Sequence, residues 1–298
     1  MTVQNPHDKF FRESFSRLDV ARNFLTEYLP PDILVNLQLD TLQLQSDSFI
    51  DEKLQSHQTD ILYETQLADE STTSIYLLFE HKSYPDSKVA LQLLRYMVRI
   101  WERQQESKQT LQPIIPIVIY HGERIWTVKT DFQSLFPDLP DSMKPHVPQF
   151  DYLVRDFSYR SELELRGDVW LLTILLVLRS ILSPTIRAEL PQLVKIMMTL
   201  AQQQHGLDFV YTILYYLTDA TDKVSKQHLR QTLDQHTDQG EAIMATLAQQ
   251  WIQEGQQKQA RTVAINLLRL LADEQISAAT GLSLAEVKEL RQAEQNKA

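Results

Sequence analysis

The sequence predicts an α/β fold in which a mixed β-sheet is flanked by helices and followed by a helical C-terminal part. Two apolar stretches, 59–67 and 74–79, predict the adjacent strands of a hairpin. A helical pattern follows, and the continuous apolar run at 114–120 then predicts a strand buried on both faces. The helix between these strands supplies the crossover that parallel pairing requires.

An N-terminal helix is predicted before the hairpin, because aromatic and aliphatic residues recur there at helical spacing. The residues on its predicted core side are Phe11, Phe15, Leu18 and Leu25. At the start of this helix we expect Asp8 to act as the N-terminal cap, in preference to a role for His7 as a metal ligand.

Charged residues end the second strand of the hairpin. Because side chains alternate across a strand, Glu80 and Lys82 share one face and His81 lies on the other. The hairpin loop at 68–73 places Asp60 opposite the end of this strand. We therefore expect Asp60 and Glu80 to meet across the two strands, with Lys82 beside them.

These residue types suit the metal-dependent hydrolysis of a phosphodiester. Magnesium prefers oxygen ligands, which Asp60, Glu80 and the backbone carbonyl of His81 supply. A metal-bound water is more acidic than bulk water, and Lys82 adds positive charge where the phosphate gains negative charge. The alternative is that Glu80 and Lys82 form an ordinary solvated ion pair at a strand end.

A helix is predicted to start near Pro85, Asp86 and Ser87 and to run to about Gln105. Its predicted apolar positions are Val89, Leu93, Met97 and Ile100. A neighbouring face carries an amide and three guanidinium groups that predict contacts to a DNA backbone, namely Gln92, Arg95, Arg99 and Arg103. The alternative for this stripe is a solvated helix face.

The order of these elements and the Asp…Glu-x-Lys motif resemble the PD-(D/E)XK nuclease superfamily. More narrowly, the chain resembles the Rpn family of recombination-promoting nucleases, which are also described as transposase-like. The segments that carry this resemblance are 7–11, 25–30, 79–83, 93–97 and 120–122. The resemblance covers the first half of the chain, and the remainder is similar only in its helical character.

The resemblance implies a restriction-endonuclease-like core and a metal-dependent DNA endonuclease that is linked to recombination or mobile elements. Carried over by position, Asp60 and Glu80 are the metal ligands, and Lys82 positions or activates water. The implied cofactor is Mg²⁺, with Mn²⁺ able to replace it. One departure is Thr59, which stands where the motif that names the superfamily has proline.

Composition excludes several other classes of protein. The chain has no cysteine, which excludes disulfides, zinc–thiolate sites and cysteine nucleophiles. With six glycines and no glycine-rich loop, a nucleotide cofactor is not expected. No apolar run is long enough to span a membrane, and no signal peptide is evident, so we expect a cytoplasmic protein. The net charge of −10 is unfavourable for DNA binding as a whole, so local basic groups matter more.

Three parts are predicted along the chain, namely a nuclease core at 1–165, a helical layer packed on it at 166–238 and a C-terminal module at 239–298. The last part contains a pattern typical of a helix-turn-helix unit, with Gly281 in the turn. Residues 260–298 hold five basic and five acidic residues, which favours protein binding or dimerisation over reading DNA bases.

An apolar stripe in the C-terminal module leads us to expect a homodimer, because so small a unit can hardly bury the stripe alone. Its residues are Leu267, Leu268, Leu271, Leu282 and Leu290. Two functions of different class remain open from the sequence. One is a metal-dependent DNA endonuclease, and the other is a non-catalytic DNA-binding or scaffold protein that keeps the same fold.

Overall fold

A computed structural model of the protein describes residues 5–45, 61–68 and 74–295. The chain divides into two compact units, Asn5–Thr232 and the described part of Leu233–Ala298. The finer division predicted at residues 165 and 238 stays a prediction. Within the described ranges, no helix combines the length and the apolar character needed to cross a membrane.

The larger unit alternates helices and strands before it becomes all-helical. Its elements in chain order are α1 (Pro6–Phe15), α2 (Leu18–Tyr28), α3 (Pro31–Leu34), β1 (Leu37–Leu44), β2 (Ile61–Leu67), β3 (Ser74–Lys82), α4 (Val89–Glu106), β4 (Ile114–Tyr120), β5 (Leu153–Asp156), α5 (Val169–Ile181), α6 (Ile186–Ala201), α7 (Gly206–Asp219) and the first part of α8 (Lys226–His236), which the boundary between the units divides after Thr232. The helices α5 to α8 agree with the helical character predicted for the part of the chain that follows the sheet.

The described strands form one mixed sheet in the order β1-β2-β3-β4-β5. The first three strands are antiparallel to their neighbours, and β3, β4 and β5 run parallel. The α4 helix makes the crossover from β3 to β4, so the predicted mixed sheet is confirmed. The edge strand β1 was not expected from the sequence, since its residues Leu37 to Leu44 are largely polar or exposed.

Alternation along β3 separates two packing layers. Tyr76 and Leu78 face a core that includes Val89 and Leu93 of α4. On the other face, the Phe79 ring meets the rings of α1 and α2, with centroids 5.9 Å from Phe15 and 5.4 Å from Phe24. The sheet therefore has a helix on each face, and the end of β3 projects side chains into two different environments.

The N-terminal region forms two helices, whereas the apolar spacing predicted one. The chain breaks between α1 and α2 at Ser16 and Arg17, and Leu18 is 38% exposed, so it is not a core residue. Asn5 caps α1, because its side-chain oxygen accepts a hydrogen bond of 3.1 Å from the His7 backbone amide. The predicted capping role of Asp8 is therefore wrong, and its carboxylate acts elsewhere.

Helices α5, α6 and α7 pack against one another, α5 contacts α2, and α7 contacts α1. At the α1–α7 contact, the rings of Phe10 and Tyr216 stack with their centroids 4.2 Å apart. These helices form a second layer over α1 and α2.

The smaller unit contains α9 (Gly240–Leu267), α10 (Asp273–Thr280) and α11 (Leu284–Gln295). Gly281 takes a left-handed φ of 74° between α10 and α11, a conformation that glycine adopts without strain. The predicted pair of short helices joined by a glycine turn is confirmed.

The apolar stripe of the smaller unit is largely buried within the unit itself. Its core consists of Ala264, Leu268, Ile276, Leu282, Val287 and Leu290, with Leu267 and Leu271 packed against it. The expectation that the unit cannot bury this stripe alone is therefore wrong. Short helices that cross a longer one enclose a small core, which the linear spacing of leucines did not reveal.

Candidate active site at the end of strand β3

Glu80 and Lys82 project from the same face of β3 and meet in a buried position. The Lys82 Nζ atom lies 3.2 Å from Glu80 Oε1, and the side chains are 9% and 1% exposed, respectively. Burial to this extent excludes the alternative of a solvated surface ion pair. A buried pair requires further hydrogen bonds to offset the loss of hydration, and the surrounding residues provide them.

Gln92 on the first turns of α4 links the two charged groups. Its Oε1 atom accepts a hydrogen bond of 2.6 Å from Lys82 Nζ, and its Nε2 donates to Glu80 Oε1 at 2.9 Å. The same Nε2 atom lies 2.8 Å from the Tyr96 hydroxyl, one helical turn further on. Of the side chains predicted for DNA binding, Gln92 therefore belongs to the charged network.

Asp86 completes the surroundings of the Lys82 ammonium. Its Oδ2 atom is 3.2 Å from Lys82 Nζ, and its Oδ1 accepts a hydrogen bond of 2.9 Å from the Lys88 backbone amide. In the sequence, Asp86 is recognisable only as a helix-start signal, and α4 begins three residues later at Val89. A lysine that ends a buried strand needs carboxylates nearby, and this need is the signal in the sequence that could have identified Asp86.

Two opposing effects act on the Lys82 side chain. Burial lowers its pKa, but the nearby carboxylates of Glu80 and Asp86 raise it more, so the pKa lies above the ordinary value. Lys82 is therefore an ammonium at neutral pH. A permanent cation suits the stabilisation of negative charge or the orientation of water, whereas it is unsuited to accepting a proton.

One carboxylate oxygen of Glu80 is buried. Among the described residues, Glu80 Oε2 has no hydrogen-bond partner, although its partner oxygen Oε1 bonds to both Lys82 and Gln92. An orphaned buried carboxylate oxygen is costly unless something binds it. Its chemistry fits a divalent metal ion that prefers hard oxygen ligands.

The described residues do not contain a complete set of metal ligands. Across 5–45, 61–68 and 74–295, no three His, Asp or Glu side chains are grouped to hold a metal ion. Asp60 lies outside the described residues. The neighbouring Ile61 begins β2 and pairs with Phe79, the residue that precedes Glu80.

The His81 side chain lies on the opposite face of β3, as the alternation predicted. Its Nδ1 atom is 2.9 Å from Asp8 Oδ1, and because a carboxylate only accepts, Nδ1 carries the proton. Its ring stacks on those of Phe11 and His121, with both centroids at 4.8 Å. Burial, aided by the nearby charges of His7 and Lys82, lowers the His81 pKa to about 3, so its imidazole is neutral.

His7 belongs to the same cluster behind β3 and is not part of the Glu80 network. Its Nδ1 atom is 2.6 Å from the Tyr216 hydroxyl, and its ring centroid is 5.3 Å from that of His121. The metal ligands predicted from the sequence, Asp60, Glu80 and the His81 backbone carbonyl, all stay predictions. The imidazole of His81 faces away from the Glu80 carboxylate.

The arginines predicted for DNA binding extend from Gln92 along α4. Arg95 and Arg99 are exposed, and Arg103 is partly buried. Arg99 also lies 3.4 Å from Glu102. At the helical rise per residue, Arg99 is about 10 Å from Gln92 along the axis. The stripe thus begins beside the charged network, and its contact with DNA stays a prediction.

Comparisons with known proteins point to one family. The chain is 36% identical over 125 residues to recombination-promoting nuclease RpnD of Escherichia coli O157:H7, which is 41% of this chain and 48% of that protein. It is 36% identical over 119 residues to RpnC of Escherichia coli strain K12, at 40% and 39% of the two chains. The chain thus spans about half or less of these relatives.

Another relative from strain K12 is an inactive recombination-promoting nuclease-like protein, RpnE, which is 32% identical over 123 residues, 41% of each chain. No solved structure matches the chain at a significant level. The model of the family described as putative transposase, YhgA-like, matches residues 5–208, which include the whole sheet and the Glu80 network. The resemblance to the Rpn nucleases is thereby confirmed, and the chain belongs to the YhgA-like putative transposase family.

Proposed function

We propose that the protein is a metal-dependent DNA endonuclease with a PD-(D/E)XK-type core, acting in recombination or on mobile elements. The observation that carries this proposal is the buried Glu80 carboxylate, which has one orphaned oxygen and lies beside a permanently charged Lys82. The names of RpnD and RpnC support a nuclease and, with it, a DNA substrate. Such a substrate is consistent with the cytoplasmic location expected from the sequence.

The proposed metal ligands are the carboxylates of Asp60 and Glu80 with the backbone carbonyl of His81. Asp60 precedes Ile61 by one residue, and Ile61 pairs with Phe79 beside Glu80, which supports this assignment. The proposed ion is Mg²⁺, which Mn²⁺ is expected to replace. When bound, such an ion polarises the phosphate and makes a water molecule more acidic.

The other residues of the network have distinct proposed roles. Lys82 places its ammonium where the phosphate gains negative charge and orients the attacking water. Gln92 fixes the distance between Lys82 and Glu80 through its two hydrogen bonds, and Asp86 also holds the Lys82 ammonium. Arg95, Arg99 and Arg103 are proposed to contact the DNA backbone.

A second candidate function is a non-catalytic DNA-binding or scaffold protein that retains the fold. The observation that favours it is the name of RpnE, a relative described as inactive. The presence of Glu80 and Lys82 in one buried network favours the enzyme, because a scaffold has no need of a buried charged pair that costs hydration free energy.

The test is the conversion of supercoiled plasmid into nicked or linear DNA with added Mg²⁺. We expect cleavage by the wild-type chain, no cleavage in EDTA, and loss of cleavage in Asp60→Ala. A matched control is Asp40→Ala, which removes an exposed carboxylate from β1 and should leave cleavage unchanged. Stable binding of plasmid without any cleavage would favour the scaffold.

We also propose that the C-terminal unit mediates a homodimer. The stripe used to predict this is buried, so the support now comes from other side chains. On and after α9, Ile252 is 61% exposed and Leu270 is 74% exposed. In α11, the Arg291 guanidinium is held by Asp273 at 2.6 Å and by the Leu271 carbonyl at 2.9 Å, which makes it a poor reader of DNA bases.

A further inference from the structure

A large aromatic side chain lies exposed beside the Glu80 network. Tyr84 is 62% exposed, and Lys82 Nζ is 5.9 Å from the centroid of its ring. Single exposed apolar residues are common and need no explanation by themselves. Tyr84 differs because its ring borders the amine that the proposed function places at the scissile phosphate.

The segment that carries Tyr84 is held at both ends. Lys82 anchors it on β3, and Asp86 is fixed by its ion pair with Lys82 and by the Lys88 amide. The Val89 amide also donates a hydrogen bond of 3.2 Å to the Asp86 carbonyl as α4 begins. The ring thus lies on an ordered turn. When a ligand stacks on it, the segment loses little conformational entropy.

Exposed basic side chains follow Tyr84 in the chain, at the N-cap of α4 and along the helix. Lys88, Arg95 and Arg99 are all exposed. At the angular spacing of a helix, Arg95 and Arg99 span a sector of about 40° around the α4 axis, and Lys88 is the N-cap residue that precedes the helix. The sector borders Gln92, which contacts Lys82 directly. An aromatic platform next to a row of cations is the combination with which proteins bind single-stranded nucleic acid.

We propose that Tyr84 stacks on an unpaired nucleobase next to the scissile phosphate, while the basic row of Lys88, Arg95 and Arg99 follows the adjacent backbone. A base inside a duplex has both faces covered by its neighbours, so a protein ring reaches only a base that is unpaired or extruded. The substrate is therefore DNA with unpaired nucleotides. This inference rests on the proposed function, since it takes Lys82 to be the phosphate-binding group.

The binding test separates stacking from catalysis by using EDTA. Its probes are a short fluorescein-labelled single strand, the matched duplex, and the same strand with 2-aminopurine, whose fluorescence falls when it stacks. We expect the wild type to prefer the single strand and to quench 2-aminopurine. Tyr84→Ala should bind the single strand about tenfold more weakly and lose the quenching, whereas Tyr84→Phe should keep both.

A matched control is Tyr159→Ala. Tyr159 also lies next to a cation, with the Arg160 guanidinium 5.4 Å from its ring, but it follows β5 and is not part of the segment between β3 and α4. This variant should bind both DNA probes as the wild type does. Duplex binding should also be similar in Tyr84→Ala and the wild type, because stacking does not contribute there.

Equal single-strand affinity and equal quenching in Tyr84→Ala and the wild type would overturn the stacking role. Tighter binding by Tyr84→Ala would also overturn it and would show that the ring shields Lys82. Failure of the proposed function is distinguishable. Quenching that depends on Tyr84 without any Mg²⁺-dependent plasmid cleavage would reject the nuclease and retain the stacking site, and the opposite result would reject the stacking site alone.

Discussion

Gln92 holds Lys82 and Glu80 at a fixed separation, because one end of its amide accepts from Lys82 and the other donates to Glu80. The carbonyl oxygen of the amide thus faces the Lys82 cation, and the amide nitrogen faces the Glu80 carboxylate. Since Gln92 lies on α4 and the two charged residues lie on β3, the packing of the crossover helix against the sheet sets the geometry of the candidate site.

Gln92→Leu should lower cleavage by about 10- to 100-fold, as expected when a residue that orients a catalytic group is lost. Without metal, Gln92→Glu should lower the free energy of unfolding more than Gln92→Leu does, because it places a second carboxylate beside that of Glu80. The rate at saturating DNA separates this effect from binding. An unchanged rate in both variants would show that the amide only fills space.

Glu80→Ala and Asp60→Ala should each remove nearly all cleavage while the far-ultraviolet circular dichroism stays that of the wild type. Each variant removes a proposed ligand and leaves the metal under-coordinated. Binding of Mn²⁺, followed by calorimetry, should weaken in both. Full cleavage by either variant, from preparations free of contaminating nuclease, would contradict the ligand assignment.

Lys82→Met should keep Mn²⁺ binding but lower the cleavage rate by at least about 100-fold, because it removes charge at the phosphate and not a ligand. Lys82→Arg should also be poor, since a planar guanidinium does not replace a compact ammonium. If Lys82→Met loses metal affinity as severely as Asp60→Ala, the assigned role is wrong.

The raised Lys82 pKa gives a prediction for alkaline pH. A lysine whose folded-state pKa is raised stabilises the folded protein below its unfolded pKa, and this contribution is lost as pH rises through the folded value. Cleavage should therefore show no loss from deprotonation of Lys82 between pH 7 and about 10. An inflection near pH 8 that disappears in Lys82→Arg would contradict the raised pKa.

The sequence was sufficient to predict which side chains share a face of β3, and insufficient to predict which residues of other elements contact them. A period of two placed Glu80 and Lys82 together and His81 opposite, and the structure confirms both. The contact of Asp86 with Lys82 depends on the conformation of the turn between β3 and α4, which the sequence pattern does not specify. The pairing of Asp8 with His81 spans 73 residues and arises only from the packing of α1 on the sheet, which local patterns do not encode.

The histidine cluster behind β3 should make the protein sensitive to acid. Burial, followed by the charges of His81 and His7, lowers the His121 pKa well below the ordinary value, and the His81 pKa is about 3. Below the ordinary histidine pKa, the unfolded chain binds protons that the buried rings of the folded protein do not bind. The stability that these neutral rings contribute is therefore present above about pH 6.5 and is lost as pH falls.

The measurement is the free energy of unfolding by urea between pH 4 and 7. In His121→Phe, the slope of this free energy with pH should be shallower by about 1.4 kcal/mol per pH unit, since the variant lacks one group that takes up a proton on unfolding. His146→Phe is a control at an exposed position and should leave the slope unchanged. Parallel pH profiles for His121→Phe and the wild type would show that His121 is protonated equally in both states.

Assembly gives the last prediction. Cleavage of both strands requires two active sites or two successive nicks, and a dimer built through the C-terminal unit supplies two sites at once. Truncation near Gln239 should lower the mass in solution and shift the products from double-strand breaks toward nicks. The larger unit keeps its own cores without that segment, so cleavage itself should persist.

A double substitution tests the proposed dimer surface of the C-terminal unit more directly than truncation does. Ile252→Ser with Leu270→Ser changes two exposed side chains, at 61% and 74% exposure, that the core of the unit does not use. We expect this double variant to be monomeric and to nick plasmid at the wild-type rate. Its control, Lys288→Ser, alters an exposed cation of α11 and should stay dimeric. A wild type that is monomeric at micromolar concentration would rule out the dimer, and a DNA-docking role for the helix pair α10 and α11 would then be the better explanation of the unit.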